Sequence, residues 1–327
     1  MKMKSSYRLI TSRMAGRALL AGFGLLVLAS CSSSEDDLEL DLDDRSTSAQ
    51  STEFESTEFE STEFESTEIA LSVPSVPATG AASITDLVLI TGQSNALGSL
   101  TAFDPVLDQP VEGFFAYTDQ GWRQANLRQI WDLGAHPKFG FGDDPHNNFG
   151  FHFGKTIAER RSDRVVGIIL ASAPGEGISH WDADKFFYNQ IRSKVLLAVN
   201  ELPHKSGVDG ILWHQGETDW TLDGSDDPDI EGIPNNDYYS QRFWQLITNF
   251  RSESWFASDR PFICGETARS PVNSRLNALN RDSDIWTACV PGEGLPTYDE
   301  ERVHFSAEGL RQLGKNYAEV YLQMTSR

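Results

Sequence analysis

Cysteine is scarce: 327 residues hold three, and none stands in a C-x-x-C pair. No H-E-x-x-H stretch occurs either, so the common zinc signatures are missing and no metal is expected. Basic residues are few, 27 against 48 acids, for a formal charge of −21. A chain this acidic lacks the positive face that a phosphate backbone requires, which excludes nucleic acid as an expected partner. Long hydrophobic runs are absent as well. The apolar run Ala18 to Ala29 is too short to cross a hydrocarbon core of ~30 Å as a helix. Nor is there a G-x-S-x-G elbow around the serine that draws most attention below: the position two after Ser94 is Ala96.

What is present begins with a basic N-terminal start. Lys2, Lys4, Arg8, Arg13 and Arg17 precede the apolar run, the order of a secretory signal. The run ends in "LASC", Leu28 to Cys31, and so resembles a bacterial lipoprotein signal. That resemblance implies lipidation of Cys31, cleavage before it, and an exported cell-envelope protein held to a membrane by its lipid. Residues 1–31 are therefore expected to be the signal with its lipobox cysteine. Residues 32–80 follow as an acidic stalk with three "STEFE" repeats and a Pro-containing hinge, "LSVPSVPATG". Acids and hydroxyls dominate the stalk, which cannot bury enough apolar surface to offset its chain entropy. The remainder, 81–327, is acidic in its own right and large enough for one domain.

Within that remainder, short apolar runs alternate with helical patterns. The runs Ile84–Thr91, Val165–Ala171, Gly210–His214, Pro261–Gly265 and Ile285–Val290 read as strands covered on both faces. Between them, helices are predicted at Phe149–Arg161, Phe186–Leu202, Asp237–Trp255, Pro271–Arg281 and Ala307–Met324, the last behind Ser306 as its cap. The alternation predicts an α/β fold with a parallel sheet and helices on both faces. Such folds place ligands at the carboxyl ends of the strands. The stretch "VEGFFAYTDQGWRQA" reads as a hairpin, part of an excursion over the sheet that continues into the glycine-rich loop 134–148. Cys264 and Cys289 lie in two of the strand runs, and in an exported protein they either pair or remain buried thiols.

Four blocks carry the chemistry. "LVLITGQSN" delivers Ser94 at a strand tip, and "NNFGFHFG" places Gly150 at a helix start. "WHQGE" closes a strand with His214 to Glu217, and "RVHFS" sets His304 just before the last helix. Together, and in this order, they resemble the SGNH hydrolases, and within them the sialate O-acetylesterase and acetylxylan-esterase-like carbohydrate esterases. The resemblance spans about residues 84–320. It implies a flavodoxin-like three-layer α/β/α sandwich with a five-stranded parallel sheet of order 2-1-3-4-5. It also implies a serine esterase that needs no cofactor and removes O-acetyl groups from carbohydrate, sialic acid or an acetylated xylan-type glycan, through an acetyl-Ser94 intermediate.

Ester cleavage by serine needs a histidine base oriented by a carboxylate. Ser94 and His304 are the candidates for the first two roles. For the acid, the family's usual D-x-x-H spacing falls on Glu301, with Glu217 and Asp299 as rivals. By resemblance the oxyanion donors are the backbone N–H groups of Ser94 and Gly150 and the Gln215 side-chain amide. Trp181, Trp213 and Trp220 are candidate sugar-stacking rings, and the aspartate-rich stretch Thr221 to Gly232 lacks the spacing of a calcium loop. Two other readings stay open: an esterase of lipid or aryl esters, and a non-catalytic glycan-binding lipoprotein.

Overall fold

The computed structural model describes residues 80–98, 103–127, 147–221, 235–269, 272–278, 286–300 and 302–326. The chain divides into two units, Met1–Thr67 and Glu68–Arg327, and every described residue belongs to the second. The signal, Cys31, the STEFE stalk, the stretch 222–232 and most of the glycine-rich loop lie outside the described residues.

Five parallel strands form the centre: β1 (Asp86–Gly92), β4 (Val166–Ser172), β5 (Gly210–His214), β6 (Phe262–Gly265) and β7 (Thr287–Val290). Numbered among themselves in chain order, they lie 2-1-3-4-5. Among the described residues the sheet has seven strands rather than five, in the order β3-β2-β4-β1-β5-β6-β7. The two additions are β2 (Phe114–Thr118) and β3 (Gly121–Gln124), the hairpin expected to lie over the sheet. Instead β2 pairs in parallel with β4 and extends the edge, and β3 pairs antiparallel with β2. The reason is in its side chains: Phe114 and Ala116 enter one core, Phe115 and Tyr117 the other, so both faces of β2 must be covered.

The same two-sided pattern holds for β1. Leu87 and Leu89 face the core beneath α3 (Phe186–Asn200) and α5 (Asn235–Ser252). Val88 and Ile90 face the core beneath α2 (Phe149–Arg160) and α7 (Ala307–Thr325). A strand that is apolar on both sides has no stable place except between two layers of helix. Of the helix predicted over Pro271–Arg281, residues 272–278 are described, and they hold α6 (Asn273–Leu276). Cys264 and Cys289 are register partners across β6 and β7, with Cα atoms 4.4 Å apart, and form a disulfide.

Helices α2 and α7 pack closely because a glycine faces the contact. A Cβ on Gly314 would sit 2.4 Å from the Phe149 carbonyl oxygen and 2.6 Å from His152 Cβ. Tyr317, one turn on, stacks on Phe149 with ring centroids 4.7 Å apart. Nearby, Arg311 of α7 makes two bonds, 2.8 and 2.7 Å, to the fully buried Asp108. Asp108 also accepts from Asn147, just ahead of α2. Helix propensity alone favours Gly314→Ala by about 1 kcal/mol, whereas overpacking a close helix contact costs about 1–3 kcal/mol. Gly314→Ala is therefore expected to lower stability in denaturant unfolding; unchanged or raised stability would contradict this packing.

Candidate active site

Ser94 opens the short helix α1 (Ser94–Leu97) directly beyond the tip of β1. The turn between them depends on Gly92, whose φ is +133° and whose Cβ would lie 2.0 Å from the His214 carbonyl oxygen. Only glycine combines that backbone angle with so close an approach of β1 to β5. Gln93 N–H then donates to the same carbonyl oxygen, at 3.0 Å. Ser94 is thereby held at the carboxyl edge of the sheet, 8% exposed.

From the other end of the chain comes His304. Its Nε2 is 3.0 Å from Ser94 Oγ and its Nδ1 is 2.9 Å from Asp299 Oδ2. The imidazole is 30% exposed and stacks on Tyr298, centroids 5.7 Å apart and planes 11° from parallel. A hydroxyl, an imidazole and a carboxylate in line can pass the hydroxyl proton to the ring, while the carboxylate fixes the tautomer and stabilises the imidazolium.

The carboxylate that reaches His304 is thus Asp299, five positions away rather than three. Glu301, favoured from spacing, lies outside the described residues. Asp299 can serve because the loop folds around it: its carboxylate also accepts from the backbone N–H of Val303, 2.7 Å, and of His304, 2.8 Å. Arg302 takes a left-handed φ of 58° to close that turn, a conformation uncommon for a non-glycine residue.

Glu217, the other rival, is buried beneath the site and meets Asn95 instead. Asn95 Nδ2 donates to Glu217 Oε1 at 2.6 Å and to the Val303 carbonyl oxygen at 2.9 Å, and Asn95 Oδ1 accepts from Phe305 N–H at 3.1 Å. One amide so grips the backbone on both sides of His304 and ties it to the residue after Ser94. Gln93 has a parallel role, accepting with Oε1 from Gly216 and Thr218 N–H, 3.4 and 3.3 Å. Neither positioning role was apparent from sequence, where both residues stand only as letters of a block. The one available signal was that an amide at a buried strand tip must find partners.

Below lies a polar layer. His214, fully buried, has Nε2 3.4 Å from Glu217 Oε1 and Nδ1 3.3 Å from Tyr317 Oη. Burial pushes the Glu217 carboxyl up, but His214 and the Asn95 amide outweigh it and hold the group below its ordinary value. Asp219 shifts the other way: burial dominates and raises it to about 6, although Gln215 and the Ile178 N–H oppose the shift. Gln215 Nε2 donates to Asp219, and to the Glu176 carbonyl oxygen at 3.3 Å, so both amide protons have partners within the protein.

Gly150 is the second residue of α2, where a backbone N–H has no intrahelical acceptor. Asn148 caps this helix by accepting from Phe151 N–H and binds it to α1 through the Ala96 and Leu97 carbonyl oxygens, 2.7 and 2.8 Å. A Cβ at Gly150 would come within 2.2 Å of Ile90 Cδ1, so packing against β1 also asks for glycine there.

Of the candidate stacking rings, Trp213 is closed off from solvent. Trp181 and Trp213 are 1% and 0% exposed and meet edge to face at 5.5 Å within the core; the side chain of Trp220 is outside the described residues. Among the described residues no group of three His, Cys, Asp or Glu side chains could hold a metal ion.

The sequence pattern described as "SASA: Carbohydrate esterase, sialic acid-specific acetylesterase" matches residues 84–323. No curated protein matches the chain. Among solved structures, a protein of Arabidopsis thaliana is similar at 21% identity and a TM-score of 0.58, over 73% of this chain and 98% of that one. NanS is similar at 16% identity and a TM-score of 0.53, over 74% and 97%. At these identities the likenesses concern the fold.

Asn95→Ala should lower kcat for ester cleavage by about 10²-fold with KM little changed, because misplacing a catalytic group by an ångström costs about that much. Full activity would show that His304 is positioned without it. Asp219 holds its proton up to about pH 6 when folded, against an ordinary value of 3.8. Its contribution therefore turns unfavourable as pH rises through that window. Asp219→Asn is expected to flatten the stability curve between pH 4 and 6, read by denaturant unfolding; an unchanged slope would refute the assignment.

Proposed function

Because the chain belongs to the SASA family of carbohydrate esterases, the sialic acid-specific acetylesterases, we propose that it removes O-acetyl groups from sialic acid or an acetylated xylan-type glycan through an acetyl-Ser94 intermediate. At the level of reaction class it is a carboxylic ester hydrolase acting on acetylated carbohydrate. The serine route is supported by one observation above the rest, the continuous line Ser94 Oγ, His304 and Asp299 at 3.0 and 2.9 Å.

In this reading His304 Nε2 takes the Ser94 proton as Oγ adds to the acetyl carbonyl carbon. Asp299 keeps the Nδ1 proton in place and stabilises the charged ring. The carbonyl oxygen becomes an anion, and donors aimed at that anion contribute about 3–4 kcal/mol each. Ser94 and Gly150 N–H, both in first helical turns, are the proposed backbone donors. Gln215 joins them only if its amide releases the Glu176 carbonyl oxygen. Collapse of the intermediate breaks the bond to the sugar oxygen, which leaves with the proton from His304. Water then repeats the sequence on acetyl-Ser94, releasing acetate and restoring the serine.

The test is acetate release from 4-nitrophenyl acetate, O-acetylated sialic acid and acetylated xylan. Ser94→Ala should abolish it, Asp299→Ala should cost about 10⁴-fold in kcat, and Glu301→Ala should stay near the parent chain. Collapse with Glu301→Ala and survival of Asp299→Ala would reassign the acid. No acetate from any of the three substrates, with folded protein, would refute the esterase reading.

A further inference from the structure

A cavity of about 280 Å³ opens beside the site on the face covered by α3. Its walls come from the carboxyl ends of β2 and β4, from the segment around Trp181, and from α3. None of its lining residues belongs to the Ser94, His304 and Asp299 line. It is nonetheless connected to that line: the Ala173 N–H, in its wall, donates to the Gly92 carbonyl oxygen at 2.9 Å, two residues before Ser94.

The lining has two kinds of surface. Tyr117, Trp181 and Phe187 supply rings; Asp119, Gln190 and Lys194 supply a carboxylate, an amide and an amine. A purely apolar ligand would strand those three polar groups. Rings together with a carboxylate and an amide match a sugar, which presents apolar C–H faces and a rim of hydroxyls. Burial lowers the Lys194 amine to about 7 although Asp119 opposes the shift, which reduces the positive charge that the cavity presents near neutrality. The volume lies just below the ~300–1,000 Å³ of pockets for drug-sized ligands, which fits one ring rather than two.

We propose that this cavity is a second carbohydrate site, which binds one pyranose unit on the same carboxyl edge of the sheet as Ser94. The choice of sugar as ligand rests on the carbohydrate-esterase reading, but its test does not depend on turnover. Saturation-transfer NMR on the Ser94→Ala chain, with xylotriose and N-acetylneuraminic acid as probes, should detect binding of at least one. Two variants at exposed positions of α3 address the cavity, Ser193→Trp to fill its mouth and Gln190→Ala to remove the amide. Each should weaken that binding about tenfold. In chains that keep Ser94, the same changes should leave 4-nitrophenyl acetate hydrolysis intact and raise KM, not lower kcat, for the acetylated glycan. Loss of xylotriose binding assigns a neutral ring, and loss of N-acetylneuraminic acid binding an acidic one. Failure of both probes to bind, or binding undiminished in Ser193→Trp, overturns the proposal. A chain that binds sugar here yet releases no acetate would refute the esterase reading alone.

Discussion

The Asn95 side chain is the interaction on which the rest of the site depends. Its three hydrogen bonds run to Glu217, to the Val303 carbonyl oxygen and to the Phe305 N–H. Among the described residues, the loop that carries His304 contributes no strand, and an isolated bridge between Thr297 and Phe305 is its one ladder contact. A side-chain amide replaces the missing ladder. It presents a donor and an acceptor at the spacing that a strand edge would offer, and it does so from the residue next to Ser94. Distance between nucleophile and base is thus set within one residue of the nucleophile.

This arrangement requires polar groups in a place where burial penalises them. Glu217 and Asp219 lie only two residues apart, yet their carboxyls shift in opposite directions. The difference is in their partners. Glu217 faces His214 and the Asn95 amide and stays charged at low cost. Asp219 has an amide and a backbone N–H, neutral donors that do not outweigh desolvation. A layer of this kind weakens the fold in exchange for geometry, the usual relation between a functional site and its scaffold.

Much of the scaffold was legible because burial on two faces leaves a distinct mark. Runs such as "LVLITG" and "GILWH" are apolar at successive positions, and a parallel sheet between helices is the fold that tolerates that. The edge hairpin was harder: "FFAYT" carries the same mark, but its turn-rich surroundings imply a local excursion. Ser94 and His304 were legible from their places at a strand tip and a helix start. Asp299 was not favoured because the number of intervening residues is a poor measure of reach. The carboxylate shortens the distance by binding the amides of its own loop, and the left-handed turn at Arg302 absorbs the surplus residues. Nothing in "YDEERVH" announces that Arg302 departs from the ordinary backbone regions. The roles of Gln93 and Asn95 were hidden for another reason, since their partners lie more than a hundred positions away.

Ser94 and His304 are 210 positions apart, and the histidine stands directly ahead of α7. That helix packs on α2, whose capping residue Asn148 binds α1. The order of synthesis therefore becomes an order of assembly. A nascent chain can complete strands β1 to β7 and still have its serine without a base. In the reading proposed above, a chain cut short before His304 would keep Ser94 at its strand tip with no imidazole beside it.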